Sequence, residues 1–136
     1  MPPNAIVSIA LVLAACSTLL SCGQDVLRTP LGEARSPNGR WLASAVHESW
    51  GGPGTAWDDA GVYLQQGSHR KELVVGFNHE FQMMHVSLKW LTPTHLEVAY
   101  GPSVPGDSIS VGYEVVRIGG EVDISLRKLP TTPPAR

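Results

Sequence analysis

Residues 84–90 read MHVSLKW, and this short stretch indicates the fold class of the whole chain. Apolar side chains occupy every second position and alternate with polar ones: Met84, Val86, Leu88 and Trp90 against His85, Ser87 and Lys89. Successive side chains of a β-strand point to opposite faces, so a period of two is typical of a half-buried strand. We therefore predict a strand here.

The same alternation recurs on both sides of this stretch. The further predicted strands cover residues 41–46, 61–66, 72–77, 96–100, 109–115 and 122–126. Turn residues separate them: SPNG at 36–39, GS at 67–68, TPTH at 92–95 and GG at 119–120. Two glycines between alternating strands are typical of a β-hairpin. We therefore expect residues 109–115, with Tyr113 among their apolar positions, to pair with residues 122–126.

The fold class follows from these strands and from the turn composition. No stretch of the length of a helix shows a 3.6-residue period, and the chain contains 14 Gly and 11 Pro. Many short strands with Gly/Pro-rich turns predict an all-β domain. We expect a small antiparallel sandwich or barrel-like sheet of about seven to eight strands, preceded by an apolar signal segment.

Charge and length exclude several classes of protein. The 136 residues include 10 Lys+Arg and 12 Asp+Glu, all after residue 24, for a net charge of −2. This length suits one domain, and a chain without a basic cluster is not expected to bind nucleic acid. Two cysteines do not make a disulfide framework.

The first part of the chain has a different character. Residues 5–20 read AIVSIALVLAACSTLL, which is uncharged and shorter than the roughly 20 residues of a membrane-spanning helix. Such a stretch suits the apolar region of a secretory signal. We predict a signal segment at 1–22, a tether at 23–31, the all-β domain at 32–129 and a Pro-rich disordered tail at 130–136.

Both cysteines lie at the end of the apolar stretch. Residues 13–16 (LAAC) resemble the lipobox of bacterial lipoproteins, and residues 19–22 (LLSC) also fit it. The resemblance implies that Cys16 or Cys22 becomes the acylated first residue and anchors the chain in a membrane. The next residue is Ser17 or Gly23 rather than Asp, which implies the outer membrane, facing the periplasm, in a Gram-negative host. A plain secretory signal is the alternative.

Four further segments resemble a family of small, uncharacterised bacterial lipoproteins and envelope proteins. The matching pieces are the turn and strand start at 36–41, the Gly-rich loop at 51–55, KWL at 89–91 and the strand at 96–100. The resemblance implies a single β domain in the cell envelope and no assigned activity.

Sequence motifs for catalysis and for metal binding are missing. His79 and His85 are six positions apart, whereas two zincin histidines lie four apart on one helix face. The chain contains no Gly-x-Ser-x-Gly elbow, and residues 51–54 (GGPG) lack the lysine of a phosphate-binding loop. We predict no enzymatic activity, no cofactor and no metal site.

The segment at 49–59, SWGGPGTAWDD, is the strongest candidate for a binding site. It is predicted as a long Gly-rich loop in which Trp50, Trp57, Asp58 and Asp59 form a candidate binding loop. In the alternative interpretation, the two tryptophans cap the core. The adjacent carboxylates of Asp58 and Asp59 would then lie in a solvated loop or form a weak cation site as a pair. A second loop at 101–107 (GPSVPGD) would share a rim with it if both lie at one end of the domain.

The function expected from these observations is that of a non-catalytic, lipid-anchored envelope module. It would bind a partner protein or help to maintain the envelope. One alternative is an inhibitor of a periplasmic enzyme such as a lysozyme, with SVGY at 110–113 as its weak inhibitory motif. Another is a small-ligand or metal carrier that uses His79, His85 and the Trp-containing loop.

Overall fold

A computed structural model describes residues 26–51, 57–78 and 84–130. The predicted leader with Cys16 and Cys22, and residues 131–136 of the predicted tail, lie outside the described residues. Regular structure in the described part consists of strands, without a helix, which confirms the all-β prediction. The strands are β1 (Leu27–Arg35), β2 (Trp41–Trp50), β3 (Trp57–Gln66), β4 (Glu72–Asn78), β5 (Met84–Thr92), β6 (His95–Pro102), β7 (Ser110–Glu114), β8 (Arg117–Ile118) and β9 (Val122–Lys128).

The described strands form two sheets. One is antiparallel, with the order β1-β2-β3-β4-β7, and the other has the order β5-β6-β9-β8. In the second sheet β6 and β9 run parallel, because the chain crosses to the other sheet as β7 before it returns. An antiparallel arrangement was expected throughout, so this pair is a difference from the prediction.

Strand β1 accounts for part of the difference in strand number. It starts at Leu27, so residues 27–31 of the segment predicted as a tether belong to the sheet. Pro30 and Gly32 interrupt the alternation there, and the register with β2 shifts between them. A sheet edge tolerates both the proline and the bulge, which explains why the sequence pattern did not reveal this strand.

The hydrophobic core lies between the two sheets and follows the predicted alternation. In β2, Trp41, Ala43 and Ala45 are buried, and in β6 Leu96 and Val98 are fully buried. The other large, fully buried side chains are Val62, Leu64, Val74, Val75, Ile109 and Val122. At roughly 25 cal/mol per Å² of apolar surface removed from water, this inner layer is the main source of stability.

The two sheets are joined along both sides. On one side, the indole Nε1 of Trp90 in β5 donates to the carbonyl of Ala34 in β1 at 3.1 Å. On the other, Val115 N–H donates to the Val74 carbonyl of the first sheet at 2.8 Å. The next carbonyl, that of Val116, accepts from Ile124 N–H of the second sheet at 2.8 Å. The sandwich is therefore barrel-like.

The hairpin predicted at residues 119–120 has a different partner from the one expected. Both glycines have positive φ (58° and 66°), but they join β9 to the two-residue strand β8. Residues 110–114 pair with β4 instead. A register shift opposite Gly76 and Phe77 turns Tyr113 outward, where it is 49% exposed. The predicted pairing of 109–115 with 122–126 and the apolar-face position of Tyr113 were wrong.

Strand directions place both Gly/Pro connections at the same end of the sandwich. Strands β1 and β5 lie side by side and run in the same direction. Gly32 lies next to Val86, with 3.5 Å between a Cβ placed on the glycine and the Val86 carbonyl oxygen. Further along both strands, Ala34 is hydrogen-bonded to Trp90. Strands β2 and β6 are antiparallel to these two strands, so both terminate where β1 and β5 begin. We call this the entry end. The β2–β3 and β6–β7 connections share it.

Candidate functional site

The candidate binding segment at 49–59 is mostly strand rather than loop. Strand β2 continues to Trp50 and β3 starts at Trp57, and the two residues are opposite each other in the register. The connection is therefore residues 51–56, of which 52–56 lie outside the described residues. Predicting a loop over the whole segment was wrong because the glycines mask the strand alternation on either side of them.

The pleat of β2 and β3 divides the candidate residues between two faces. Ala60, Val62 and Leu64 are buried and point inward, so Asp58, two positions earlier, lies on the same inner face. Trp50, Trp57 and Asp59 lie on the opposite face, which we call the outer face of the five-stranded sheet. Asp58 and Asp59 are consequently not a paired carboxylate site.

Asp58 has a partner that the sequence analysis did not identify. His47 Nε2–H donates a hydrogen bond to Asp58 Oδ1, and the Asp58 side chain is only 8% exposed. Asp58 therefore does not lie in a solvated loop, as one interpretation of the sequence expected. The partner became visible only with the register of the hairpin, which places Ala60 opposite His47 and Ser49 opposite Asp58.

The two tryptophans form an aromatic pair on the outer face. Their ring centroids lie 5.9 Å apart, and the ring planes are inclined by 58°. Trp57 is 36% exposed, whereas Trp50 is half-buried. A tilted pair at this separation is a favourable geometry for aromatic rings, so the contact orients the Trp57 ring while leaving part of it accessible to a partner.

A shallow hollow of about 280 Å³ lies beside the tryptophan pair on the same face. Its lining consists of Arg28, Val46, Glu48, Tyr63 and Lys71. Arg28 Nε contacts Glu48 Oε1 at 2.7 Å, which fixes the guanidinium at one wall. The hollow thus combines an aromatic ring with charged groups of both signs.

Tyr63 contributes a neutral hydroxyl to this hollow. Burial raises the pKa of the Tyr63 phenol above 10.0, and the carboxylates of Glu48 and Asp59 raise it further, while Arg28 acts in the opposite direction. The proton is therefore held on the hydroxyl at neutral pH. Tyr63 can donate one hydrogen bond to a ligand and accept another.

Two glycines shape the rest of the outer face. Gly61 lies beneath Leu73, whose Cδ1 would be 2.7 Å from a Cβ placed on the glycine. Across β4, the Cβ of Tyr113 would lie 3.3 Å from a Cβ on Gly76. Leu73 is 39% exposed and Tyr113 49% exposed. The outer face therefore extends from the tryptophan pair across β3 and β4 to β7 as an accessible apolar and aromatic surface.

The residues invoked by the other expectations are dispersed. His85 is exposed on β5, and His79 lies outside the described residues. In the part of the chain that the structure describes, no three His, Cys, Asp or Glu side chains come close enough to hold a metal ion. Ser110 and Tyr113 of the weak inhibitory motif are exposed in β7. Across these same ranges, no helix has the length and apolar character needed to cross a membrane.

No protein-family model, no curated protein and no solved structure matches this chain.

Sequence reasoning located the two tryptophans and missed most of their neighbours on the outer face. Extending the alternation of 61–66 back to Trp57 would have placed Trp57, Asp59 and Tyr63 on one face. No local signal marks Arg28 or Lys71, because the first was assigned to the tether and the second follows a turn. They reach the hollow only through the pairing of β1 with β2 and of β3 with β4.

Proposed function

We propose that this chain is a lipid-anchored β module of the cell envelope that binds a partner protein through the outer face of its five-stranded sheet. The observation that carries the proposal is the composition of that face. Trp, Tyr and Arg are the residue types that contribute most binding energy at protein interfaces. Arg28 and Tyr63 line the hollow on this face, and Trp57 lies further along the same face of β3, in contact with Trp50.

The geometry of this face supports recognition rather than chemistry. Its side chains project from strands, and an interface on regular elements needs little reordering on binding. Lys71 makes no ion pair with any described residue, and Asp59 is exposed with no such pair either. The cation of Lys71 and the carboxylate of Asp59, at the margin of an apolar surface, would set the orientation of a partner.

The membrane anchor is supported by the sequence around Cys16 and Cys22. Two or more acyl chains on one cysteine give stable attachment, at about 0.8 kcal/mol per buried CH₂, whereas a single chain binds only marginally. For a Gram-negative host, Ser17 or Gly23 after the cysteine supports sorting to the outer membrane, with the domain in the periplasm.

A crosslinking pull-down from intact envelopes tests the binding proposal. The Trp50→Ala/Trp57→Ala double variant should lose about ten-fold or more of the captured partner, since interface tryptophans often contribute 2 kcal/mol or more. The matched control is Leu91→Ala, which removes a side chain of similar exposure (46%) from the other sheet. Equal loss in both variants, or no loss in the double variant, would contradict the proposed site.

Incorporation of labelled palmitate tests the anchor separately. Cys16→Ser, Cys22→Ser and the double variant should be compared with the unchanged chain. We expect the label to disappear in one single variant and in the double variant, which would identify the acylated residue. Full labelling of the double variant, or absence of label from the unchanged chain, would remove the basis for anchoring.

A further inference from the structure

We infer that the entry end of the sandwich rests on the membrane surface, with Val26, Leu27 and Val104 in contact with the lipid headgroup region. The inference rests on the proposed lipid anchor and adds an orientation to it. The chain reaches the domain at this end, since Leu27 is the first residue of β1. The ligand is a phospholipid bilayer surface rather than a second protein.

The length of chain before the domain limits how far this end can lie from the membrane. Val26 follows Cys22 by four positions and Cys16 by ten. A fully extended chain spans at most 3.3–3.6 Å per residue, so the reach is about 14 Å from Cys22 or about 36 Å from Cys16. The nine-residue strand β1 is about 30 Å long. Attachment at Cys22 would therefore keep the entry end close to the bilayer, and attachment at Cys16 would still allow this end to reach it.

The side chains at the entry end suit this contact. Val26, Leu27 and Val104 are 39%, 66% and 49% exposed, although all three are apolar. The first two are adjacent to the tether, and Val104 lies in the β6–β7 connection, where strand directions bring it to the same end. Apolar side chains at an interface add binding energy in proportion to the area that they bury.

The described connections at the two ends of the sandwich differ in charge. Residues 103–109, the fully described connection at the entry end, contain one charged residue, Asp107. The connections at the opposite end carry four: Arg40, Arg70, Lys71 and Glu121. The strand ends at the entry end also carry charged residues, among them Arg28, Glu48, Asp59 and Lys128. The proposed contact is therefore with the headgroup region, where long charged side chains can keep their charged ends in water. In this orientation the outer face is roughly perpendicular to the membrane surface. The tryptophan pair lies near the membrane and Leu73 lies far from it.

Two pairs of matched positions allow a direct test. Leu27 at the entry end and Val116 at the opposite end are 66% and 67% exposed, and Val104 and Leu91 are 49% and 46% exposed. A photoreactive diazirine amino acid is placed at each position in turn in the full chain. Phospholipid adducts are then measured in isolated envelope membranes, together with the palmitate label and membrane pelleting of each variant.

We expect lipid adducts at Leu27 and Val104 to exceed those at Val116 and Leu91 by about ten-fold, because only the first pair would lie at the interface. If the chain carries the palmitate label and pellets with membranes, equal yields of lipid adduct at both ends, or no adduct at the entry end, would overturn this inference. The proposed lipid anchor would still be supported in that case. A chain without label or pelleting would overturn the anchor and this inference together.

Discussion

His47 and Asp58 are hydrogen-bonded diagonally across the inner face of the β2–β3 hairpin, close to the point where both strands reach the entry end. On the opposite face of the same hairpin, Trp50 and Trp57 are in ring contact. The end of β2 and the start of β3 are thus held by one contact on each face of the sheet. The inner contact helps to position the outer aromatic pair, because neighbouring residues of one strand share a backbone whose position both contacts restrict.

Removing the inner contact should destabilise the domain. Asp58→Ala deletes a carboxylate whose side chain is 8% exposed and removes an acceptor of His47. We expect a loss of about 1–3 kcal/mol in the free energy of unfolding, measured by urea denaturation. The neighbouring variant Asp59→Ala removes an exposed carboxylate and should stay within about 0.5 kcal/mol of the unchanged chain. Similar losses in the two variants would contradict the assignment of the two carboxylates to opposite faces.

The tryptophan pair should show a measurable coupling energy. A double-mutant cycle with Trp50→Ala, Trp57→Ala and both together isolates the ring contact from the other effects of each truncation. We expect a coupling of about 0.5–1.5 kcal/mol, the range found for aromatic pairs. Additive effects on the free energy of unfolding would show that the two rings do not interact in solution.

Gly61 should tolerate a side chain less well than Gly32. A Cβ on Gly61 would lie 2.7 Å from Leu73 Cδ1 and 3.0 Å from the Val75 carbonyl oxygen, and the backbone atom cannot move aside. Gly61→Ala should cost about 1–3 kcal/mol, the usual range for overpacking. In Gly32→Ala the nearest atom lies at 3.5 Å, an ordinary contact. If thermal unfolding ranks the two variants in the reverse order, the packing of Leu73 over β3 is incorrect.

Tyr63 should make stability depend on pH in the alkaline range. Its folded-state pKa is raised above 10.0, so the native state binds this proton more tightly than the unfolded state does. The resulting stability is complete below pH 10.0 and is lost as the pH rises through the folded-state pKa. Tyr63→Phe should therefore lose less free energy of unfolding above pH 10.0 than the unchanged chain.

The phenolate absorbance of the same chain provides the check on this assignment. Glu48→Gln removes one of the two carboxylates that raise the pKa of Tyr63. The phenol that titrates at the highest pH should shift downward in this variant and should be missing in Tyr63→Phe. An unchanged titration curve in Tyr63→Phe would assign the shifted phenol to another tyrosine.

Local alternation was sufficient to predict the strands and most of the core. Residues 84–90 form β5 as expected, and the turn at 36–39 forms with the Trp41 backbone N–H bonded to Ser36 Oγ at 2.9 Å. These features depend on neighbouring residues alone, so a single sequence contains the information. The fold class follows from them, since a chain of short amphipathic strands must bury their apolar faces against one another.

The missing parts depend on pairing between distant residues. The interruption of β1 by Pro30 and Gly32 hides a strand that only β2 specifies. The outward position of Tyr113 comes from the bulge against β4, which no pattern in 109–115 reveals. The candidate site shows the same dependence: its two tryptophans were found locally, whereas their separation from Asp58 required the register of the hairpin.

The position of β9 determines when this domain can be completed. This strand lies between β6 and β8 in its sheet, and it joins β6 over His95–Tyr100, about thirty positions earlier in the chain. A nascent chain that stops before Val122 therefore lacks an interior strand, and β6 presents an unpaired edge to its surroundings. Shortening the chain from the C-terminal side would divide the sheet instead of trimming it. During synthesis, the domain becomes a closed structure only after Val122–Lys128 has been made.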